Sequence, residues 1–329
     1  MTDHQPVIAL TGATGFVGRA MVRALLDSGR SVRALVRDPA KARAVLPADR
    51  RVSSVVGSAT DPAALRDLVH GSAAVVNLVG ILREGAGQTF ASCHVETPRR
   101  LVEACAHAGV RRFVHMSALG ADPNGPAAYQ RSKFEGESIV RKSDLAWTVF
   151  RPGLIHGPDG ELTGMIRDWA RGVKQPFFFM PYFARVRREF TDALLPTVHW
   201  DAPRVAPVSV HDVARAFVAS LDCPAAMGEV YNLVGGESLS FVQMLEWWRD
   251  NLPRGDQSLP ILPVPGEAAS LQAKAAKLLG LSALLPFDEG MPLMASQDTT
   301  ADLTKVRADL GLDPAPFRAS AGAYVASIA

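Results

Sequence analysis

The chain has 329 residues, and 48% of them are hydrophobic, which is enough for one large core or for a domain with a smaller lobe. Thirty-five Lys and Arg stand against 33 Asp and Glu, a net charge of +2 with no basic block, which argues against nucleic acid as a partner. Cys93, Cys105 and Cys223 are scattered, odd in number and without a CxxC pair, so a disulfide framework and a cysteine metal site are both disfavoured and reduced thiols of a cytoplasmic protein are expected.

The first residues, Met1 to Pro6, carry no basic flank and no apolar h-region, and no apolar run is long enough to span a bilayer. Val7-Ile8-Ala9-Leu10 then reads as a buried strand. It passes through Thr11 into the glycines of GxxGxxG, at Gly12, Gly15 and Gly18, and on into a helical pattern from Arg19 to Leu26. Strand, glycine loop and helix in that order make a pyrophosphate site. Gly12 permits the sharp turn, Gly15 lets the backbone approach an anion, and Gly18 lets the helix pack on the strand. A glycine-rich turn of another α/β protein is the competing reading. The candidate contacts here are Thr11, Gly12, Thr14, Gly15, Phe16, Val17 and Gly18.

Ser28-Gly29 stops the helix, and Ser31 to Val36 reads as the second strand. Residues closing this strand meet the adenosine ribose in dinucleotide folds, where an acid suits the 2′-OH of NAD and Arg suits the 2′-phosphate of NADP. The strand ends Val36-Arg37-Asp38, so Arg37 points to NADP(H) as the preferred cofactor, with NAD(H) left open through Asp38. Val52 to Val56 is the third strand, and Asp61 and Pro62 begin the next helix. Ala73 to Gly80 is nearly all apolar, as a parallel strand covered on both faces should be. A helix within Thr89 to Ala108 and a fifth strand, Arg112 to Met116, follow. This alternation predicts a Rossmann-like doubly wound parallel sheet whose ligand lies beyond the strand ends, near Thr11, Gly80 and Ser117.

Ala127 to Glu137 reads as a helix that sets Tyr129 and Lys133 at i and i+4 on one face. A phenol near pKa 10 is a poor base unless an ammonium stabilises its phenolate, and Lys133 is expected to do so. Ser117 is expected to hydrogen-bond the substrate oxygen while Tyr129 moves the proton. The candidate catalytic residues are therefore Ser117, Tyr129 and Lys133.

TGATGFVG, YQRSK, the upstream Ser117, Arg151 to Pro158 and Val208 to Ala214 together resemble the extended or atypical short-chain dehydrogenase/reductase superfamily, over roughly the first 235 residues. VRALVRDPAKA, VVNLVGIL and GVRRFVHMSALGADP are similar to the branch that contains the nucleotide-binding accessory subunit of respiratory complex I. The resemblance implies that Gly12, Gly15 and Gly18 hold the pyrophosphate and that Arg37 holds the 2′-phosphate. It assigns the nicotinamide ribose to Tyr129 and Lys133, and the carboxamide end to Pro152 and Gly153. Many relatives carry Asp near the adenine where this chain has Ser58, so a carboxylate contact to adenine is not expected.

Glu161 to Pro203 interrupts the alternation with Gln175-Pro176-Phe177-Phe178-Phe179-Met180-Pro181-Tyr182-Phe183 and then Arg185, Arg187 and Arg188. Two prolines argue against a regular element there. The stretch either packs on its own lobe, lines the pocket of an apolar small-molecule substrate, or makes a peripheral membrane or protein-complex contact through residues 176–188. Val205 to Val210 and Glu229 to Leu233 read as strands, and Phe241 to Asn251 as a helix. The proline-rich Leu252 to Pro265 cannot form a continuous helix or a central strand. Leu271 to Leu279 resumes helical period, Pro286 and Pro292 bracket a loop, and the tail is broken at Gly311 and Pro314-Ala315-Pro316. The expected division is a nucleotide-binding domain at 1–160 and 204–236, with a smaller, mainly helical lobe from 161–203 and 237–329. His94, His107 and His115 read as ordinary packing or surface residues, no metal site is expected, and His156 is a candidate substrate contact.

The sequence supports two functions. One is an NADP(H)-dependent oxidoreductase or epimerase acting on a carbonyl/alcohol group. The other is a cofactor-binding structural or assembly protein that holds NADPH without turning it over.

Overall fold

The computed structural model describes residues 5–189, 196–280, 285 and 287–328; the readings made on Met1 to His4, on Pro286 and on Ala329 lie outside the described residues. In the first half β1 (Val7–Thr11) leads into α1 (Phe16–Asp27), β2 (Ser31–Val36) into α2 (Pro39–Val45), and β3 (Val52–Val56) into α3 (Pro62–Val69). β4 (Ala74–Asn77) is followed by a wide π-helical turn at Ala91–Glu96 and α4 (Thr97–Ala108), β5 (Arg112–Met116) by α5 (Ala128–Arg141), and β6 (Ala146–Pro152) by the short β7 (Ile155–His156). Then come α6 (Glu161–Ala170), β8 (Met180–Glu189), β9 (Thr197–Asp201), β10 (Arg204–Val205), β11 (Val208–Ser209), α7 (Val210–Leu221) and β12 (Glu229–Leu233). The remainder is β13 (Leu239–Ser240), α8 (Phe241–Asn251), β14 (Ile261–Pro265), α9 (Gly266–Leu278), α10 (Met291–Ala295), α11 (Thr304–Leu310) and α12 (Phe317–Gly322).

Seven strands form one sheet in the order β12-β6-β5-β4-β1-β2-β3, and every pairing in it is parallel. The order reverses between β1 and β4, which opens a crevice at their C-terminal ends. Strand alternation explains the layers. Ile8 and Leu10 turn towards the core shared with α1 and α7, whereas Ala9 between them joins Leu65, Leu101 and Val140 of α3, α4 and α5 on the other face.

The lobe has its own core, in which Ile166 and Trp169 of α6 meet Met244 and Trp248 of α8, Phe317 of α12, and Met180 and Tyr182 of β8. It is helical but includes a three-stranded sheet, β14-β8-β9, which the sequence reading missed. The expectation that Pro176 and Pro181 exclude regular structure is therefore corrected at β8. Among the described residues Met180 to Ala184 pairs only with β14 and Arg185 to Glu189 only with β9, so Pro181 faces the side of β8 away from β14 and its missing N–H costs no ladder bond there. β14 itself, with Pro263 and Pro265, is an edge strand.

Three further boundaries differ. β4 ends at Asn77 rather than Gly80, because the Asn77 side-chain Oδ1 takes the Val79 N–H at 3.2 Å and turns the chain out of the sheet. Val205 to Val210 is not one strand of the main sheet: Pro207 separates β10, paired with β13, from β11, paired with β7. Pro292 lies in the first turn of α10 rather than in a loop, a position that needs no N–H.

Arg112, only 7% exposed, closes the opposite end of the sheet. Its guanidinium donates to the carbonyls of Ser220 at 2.6 Å and Leu221 at 3.1 Å, the last residues of α7, and to Ala146 O, Phe113 O and Thr148 Oγ1. Burial pulls its pKa down to about 10, which still leaves it charged at neutral pH. The cation thus satisfies a helix terminus that would otherwise bury unpaired carbonyls. Arg112→Met should lower stability by about 3 kcal/mol or more in urea unfolding, since several buried acceptors lose a charged donor at once. A loss under about 1 kcal/mol, the worth of one ordinary hydrogen bond, would show that those carbonyls find other donors.

Candidate active site

The glycine loop is built by contacts that admit no side chain. Gly12 has φ +74°, and a Cβ on it would stand 3.1 Å from the Leu78 backbone. Gly15 N–H donates to Gly12 O at 3.0 Å and closes the turn. A Cβ on Gly18 would come within 2.1 Å of Gly12 O, so α1 can lie against the loop only with glycine there. Gly15 is the N-cap of α1 and supplies no side-chain acceptor, which leaves the first N–H groups of the helix available to an anion. Of the other loop candidates, Val17 turns its side chain into the core, Thr14 offers its carbonyl to Arg19, and the Phe16 ring packs beneath Gly157 and Gly160.

At the end of β2, Asp38 caps α2 by accepting from Ala40 N at 2.8 Å and Lys41 N at 3.0 Å. Its carboxylate is occupied by the helix, whereas Arg37 is exposed beside the strand end. Ser58 is exposed after β3 and its hydroxyl lies 2.9 Å from that of Thr60.

The second group of candidates gathers around Lys133. This side chain is 3% exposed, and its ammonium donates to Met116 O at 3.0 Å, next to Ser117. A Cβ on Gly80 would lie 3.1 Å from Lys133 Nζ, so the loop after β4 passes directly over the ammonium. Burial, opposed in part by Cys93 and Glu137, lowers the Lys133 pKa to about 8. Ser117 Oγ is buried, and it has no hydrogen-bond partner among the described residues.

Tyr129, one turn before Lys133, is half-buried, and its ring meets His94 edge-on at 5.4 Å and Phe90 at 6.0 Å. The expected lowering of its phenol by Lys133 is not found. Burial raises it to about 12, while the ammonium is spent on the Met116 carbonyl. Tyr129 is thus protonated at neutral pH. Pro152 and Gly153 finish β6 nearby: Pro152 O accepts from Leu119 N, and Gly153 N–H donates to Leu233 O, both at 2.9 Å.

Several residues of this region escaped the sequence reading. Glu137, one turn beyond Lys133 and fully buried, is clasped by Arg151 at 2.8 and 2.7 Å and by Arg141 at 3.2 Å, which ties α5 to the strand that ends in Pro152. His94 accepts from Ile81 N–H at 3.1 Å and so donates from Nδ1 to Ser132 Oγ at 2.8 Å, whose own proton goes to Tyr129 O. Burial first, and Lys133 second, hold His94 neutral. His115 stands two residues before Ser117 on β5, a spacing that placed it on the serine's face and was the available signal.

His156 does not reach this group. Its Nδ1 accepts from Tyr324 O–H at 2.8 Å, Nε2 lies 3.2 Å from Ser320 Oγ, and its ring packs on Phe317, so it belongs to the seam between sheet and lobe. The aromatic stretch divides: Met180 and Tyr182 are in the lobe core, Phe183 packs edge-on against Phe287, and Phe178 is 82% exposed. Of the nearby arginines, Arg185 pairs with Asp298 and Arg187 with Asp201.

A reversed parallel sheet, a side-chain-free loop and an uncapped helix at its switch point define a dinucleotide-binding α/β protein. An NAD(P)H-binding family model matches residues 12–169. The chain is 36% identical over 179 residues to ceramide reductase of Caulobacter vibrioides, an alignment covering 53% of this chain and 55% of that protein. It is 28% identical over 320 residues to NADH dehydrogenase [ubiquinone] 1 alpha subcomplex subunit 9, mitochondrial, of Mus musculus, covering 94% of this chain and 77% of that one. The chain therefore spans little more than half the length of its ceramide reductase relative, and relatives of the complex I branch are present as the motifs imply. In fold it resembles an NADPH-dependent quinone oxidoreductase of Escherichia coli solved with NADPH, with TM-score 0.68 and 20% identity over 96% of this chain and 99% of that one. No helix among the described residues is long and apolar enough to cross a membrane.

The buried ammonium has a measurable pH signature. Below its folded pKa of about 8, Lys133 is charged in the folded and the unfolded chain alike. Between there and the ordinary value near 10.4 the folded chain sheds its proton first, so the unfolded chain binds more protons and stability rises with pH. Thermal unfolding without nucleotide should show wild type gaining on Lys133→Met between pH 8 and about 10. A difference that stays flat across that range would mean the ammonium is not buried.

Proposed function

We propose that the chain is a cytoplasmic NADP(H)-dependent oxidoreductase acting on the carbonyl/alcohol group of an apolar small molecule, with Ser117, Tyr129 and Lys133 as its catalytic residues. The observation that carries this reading is the Lys133 ammonium on Met116 O, beside a Ser117 Oγ that has no hydrogen-bond partner among the described residues, and one helical turn from a protonated Tyr129. The glycine cradle and the open N-terminus of α1 fit a pyrophosphate, and exposed Arg37 suits a 2′-phosphate better than Asp38, which is engaged in capping. The nicotinamide, when bound, supplies or accepts the hydride.

The chain's own residues handle the oxygen and the proton. Ser117 donates to the carbonyl oxygen and fixes its position. Tyr129 gives its proton to that oxygen as negative charge develops, and Lys133, held on Met116 O, keeps a positive charge one helical turn away. A phenol raised to about 12 is suited to the reductive direction, where a proton is delivered rather than removed. An apolar substrate is supported by the ceramide reductase relative and by the aromatic pair Phe183 and Phe287 in the lobe.

The second reading is a non-catalytic NADPH-binding structural or assembly protein that makes a peripheral membrane or protein-complex contact through residues 176–188. It is favoured by the alignment with the Mus musculus complex I subunit along 94% of this chain and by the outward-facing Phe178.

Two measurements separate these readings and test the cofactor. Arg37→Ala should weaken NADPH binding by roughly ten- to a hundredfold and leave NADH binding unchanged, the worth of a charge-assisted contact to phosphate. Equal affinity of wild type for the two nucleotides would defeat the NADP(H) preference. Tyr129→Phe should keep NADPH affinity while turnover falls about 10²–10⁴-fold, the contribution of general acid catalysis. If Tyr129→Phe complements a deletion strain as well as wild type while Gly15→Val fails, the structural reading holds and the enzyme reading falls.

A further inference from the structure

One row of polar side chains crosses the centre of the sheet. The register of β1, β4 and β5 puts Thr11 beside Asn77 and Asn77 beside His115, and all three are buried. Thr11 O–H donates to Asn77 Oδ1 at 2.6 Å, and Val79 N–H reaches the same oxygen at 3.2 Å. The amide nitrogen of Asn77 therefore faces the other way, 3.1 Å from His115 Nδ1. An amide nitrogen only donates, so Nδ1 accepts, and the ring proton of neutral His115 sits on Nε2. Burial first, and the Lys133 ammonium second, hold the His115 pKa down at about 3 and keep the ring neutral.

The row ends in two loose ends. His115 Nε2 and Ser117 Oγ are both fully buried, and neither has a hydrogen-bond partner among the described residues. Ser117 directly follows β5, and its N–H still bonds Phe150 O of β6 at 2.7 Å, so the extended spacing sets it on the same face as His115; the carbonyl between them, Met116 O, receives Lys133 Nζ. A buried donor and a buried hydroxyl on one face form the polar surroundings in which interior water is retained.

We propose that one ordered water molecule joins His115 Nε2 to Ser117 Oγ, accepting from the imidazole N–H and donating to the serine oxygen. His115 is then a positioning residue. With a lone pair of Ser117 occupied from the sheet side, the serine proton turns outward, towards the substrate oxygen. The same row connects the serine to Thr11, the residue before the glycine loop, so one hydrogen-bonded chain runs from the cofactor cradle to the reacting group. The role in orienting Ser117 rests on the oxidoreductase reading; the water site does not.

A high-resolution crystal structure of the full chain should show a water within about 2.7–3.2 Å of both atoms. Nitrogen-15 NMR of the histidine rings should show His115 protonated on Nε2 at neutral pH. A ring protonated on Nδ1, or no water between the two atoms, overturns the proposal whether or not the protein is an enzyme. The kinetic arm uses phenanthrenequinone as a carbonyl probe with NADPH. His115→Phe should lower kcat about tenfold, the worth of one hydrogen bond, without changing KM for NADPH. His115→Gln, which retains a donor, should recover most of that loss. An unchanged kcat in His115→Phe overturns the positioning role. Failure of wild type to reduce the probe counts against the oxidoreductase reading alone, because the crystal and NMR results still decide the water.

Discussion

The C-terminal edge of the sheet is arranged around one buried cation. Lys133 lies almost wholly out of water, and a lone ammonium there is sustained only if its surroundings replace what hydration supplied. The Met116 carbonyl provides one acceptor, and Glu137, a helical turn away, provides an opposite charge. That charge is itself shared with Arg151 and Arg141, so Glu137 steadies Lys133 without neutralising it. The two buried imidazoles respond in the opposite sense: His94 and His115 both stay neutral, because a second cation in this space would be repelled as well as desolvated.

This arrangement constrains the backbone around it. Glu137 and Arg151 fix α5 against β6, which holds Tyr129 and Lys133 at a set distance from Pro152 and Gly153. Gly136 lets α5 approach the π-helical turn so closely that a Cβ there would stand 1.8 Å from His94 O. The wide turn in turn brings His94 under Ile81, and so the loop carrying Gly80 over the ammonium. Helix, turn and loop are one packed unit, and a displacement of any of them moves the charge.

Much of this could be read from the sequence, and the parts that could not have a common cause. β2, β3, β5, β12 and α8 run between the residues at which the sequence places them, because turn residues bound each one and its period is unmixed. The glycine loop and the YxxxK pair were legible for the same reason, being set by local spacing. What failed depended on partners far away in the chain. Pro181 is harmless only because β14 and β9 pair with different halves of β8, separated by many residues. Burial disfavours the Tyr129 phenolate, and the ammonium meets a carbonyl of β5, neither of which the spacing along α5 reveals. His94, His115 and Glu137 looked ordinary because a lone titratable residue acquires meaning only through the strand or helix beside it.

The two halves of the molecule differ in what determines their shape. The cofactor side is fixed by backbone meeting backbone: Gly18 against Gly12, Gly12 against Leu78, Gly136 against His94. Such contacts tolerate no side chain, so they leave glycines at fixed intervals, and a nucleotide site of this kind is written into the sequence. The lobe is held by side chains meeting side chains, Trp248 against Phe317 and Phe183 against Phe287, with exposed pairs such as Arg187 with Asp201 on its surface. Apolar side chains of similar volume can replace one another in such a core, and exposed ion pairs add little to its stability. The residues of the lobe can therefore change while the cradle stays as it is. The same physics that makes the cradle legible in this chain leaves the lobe without a motif.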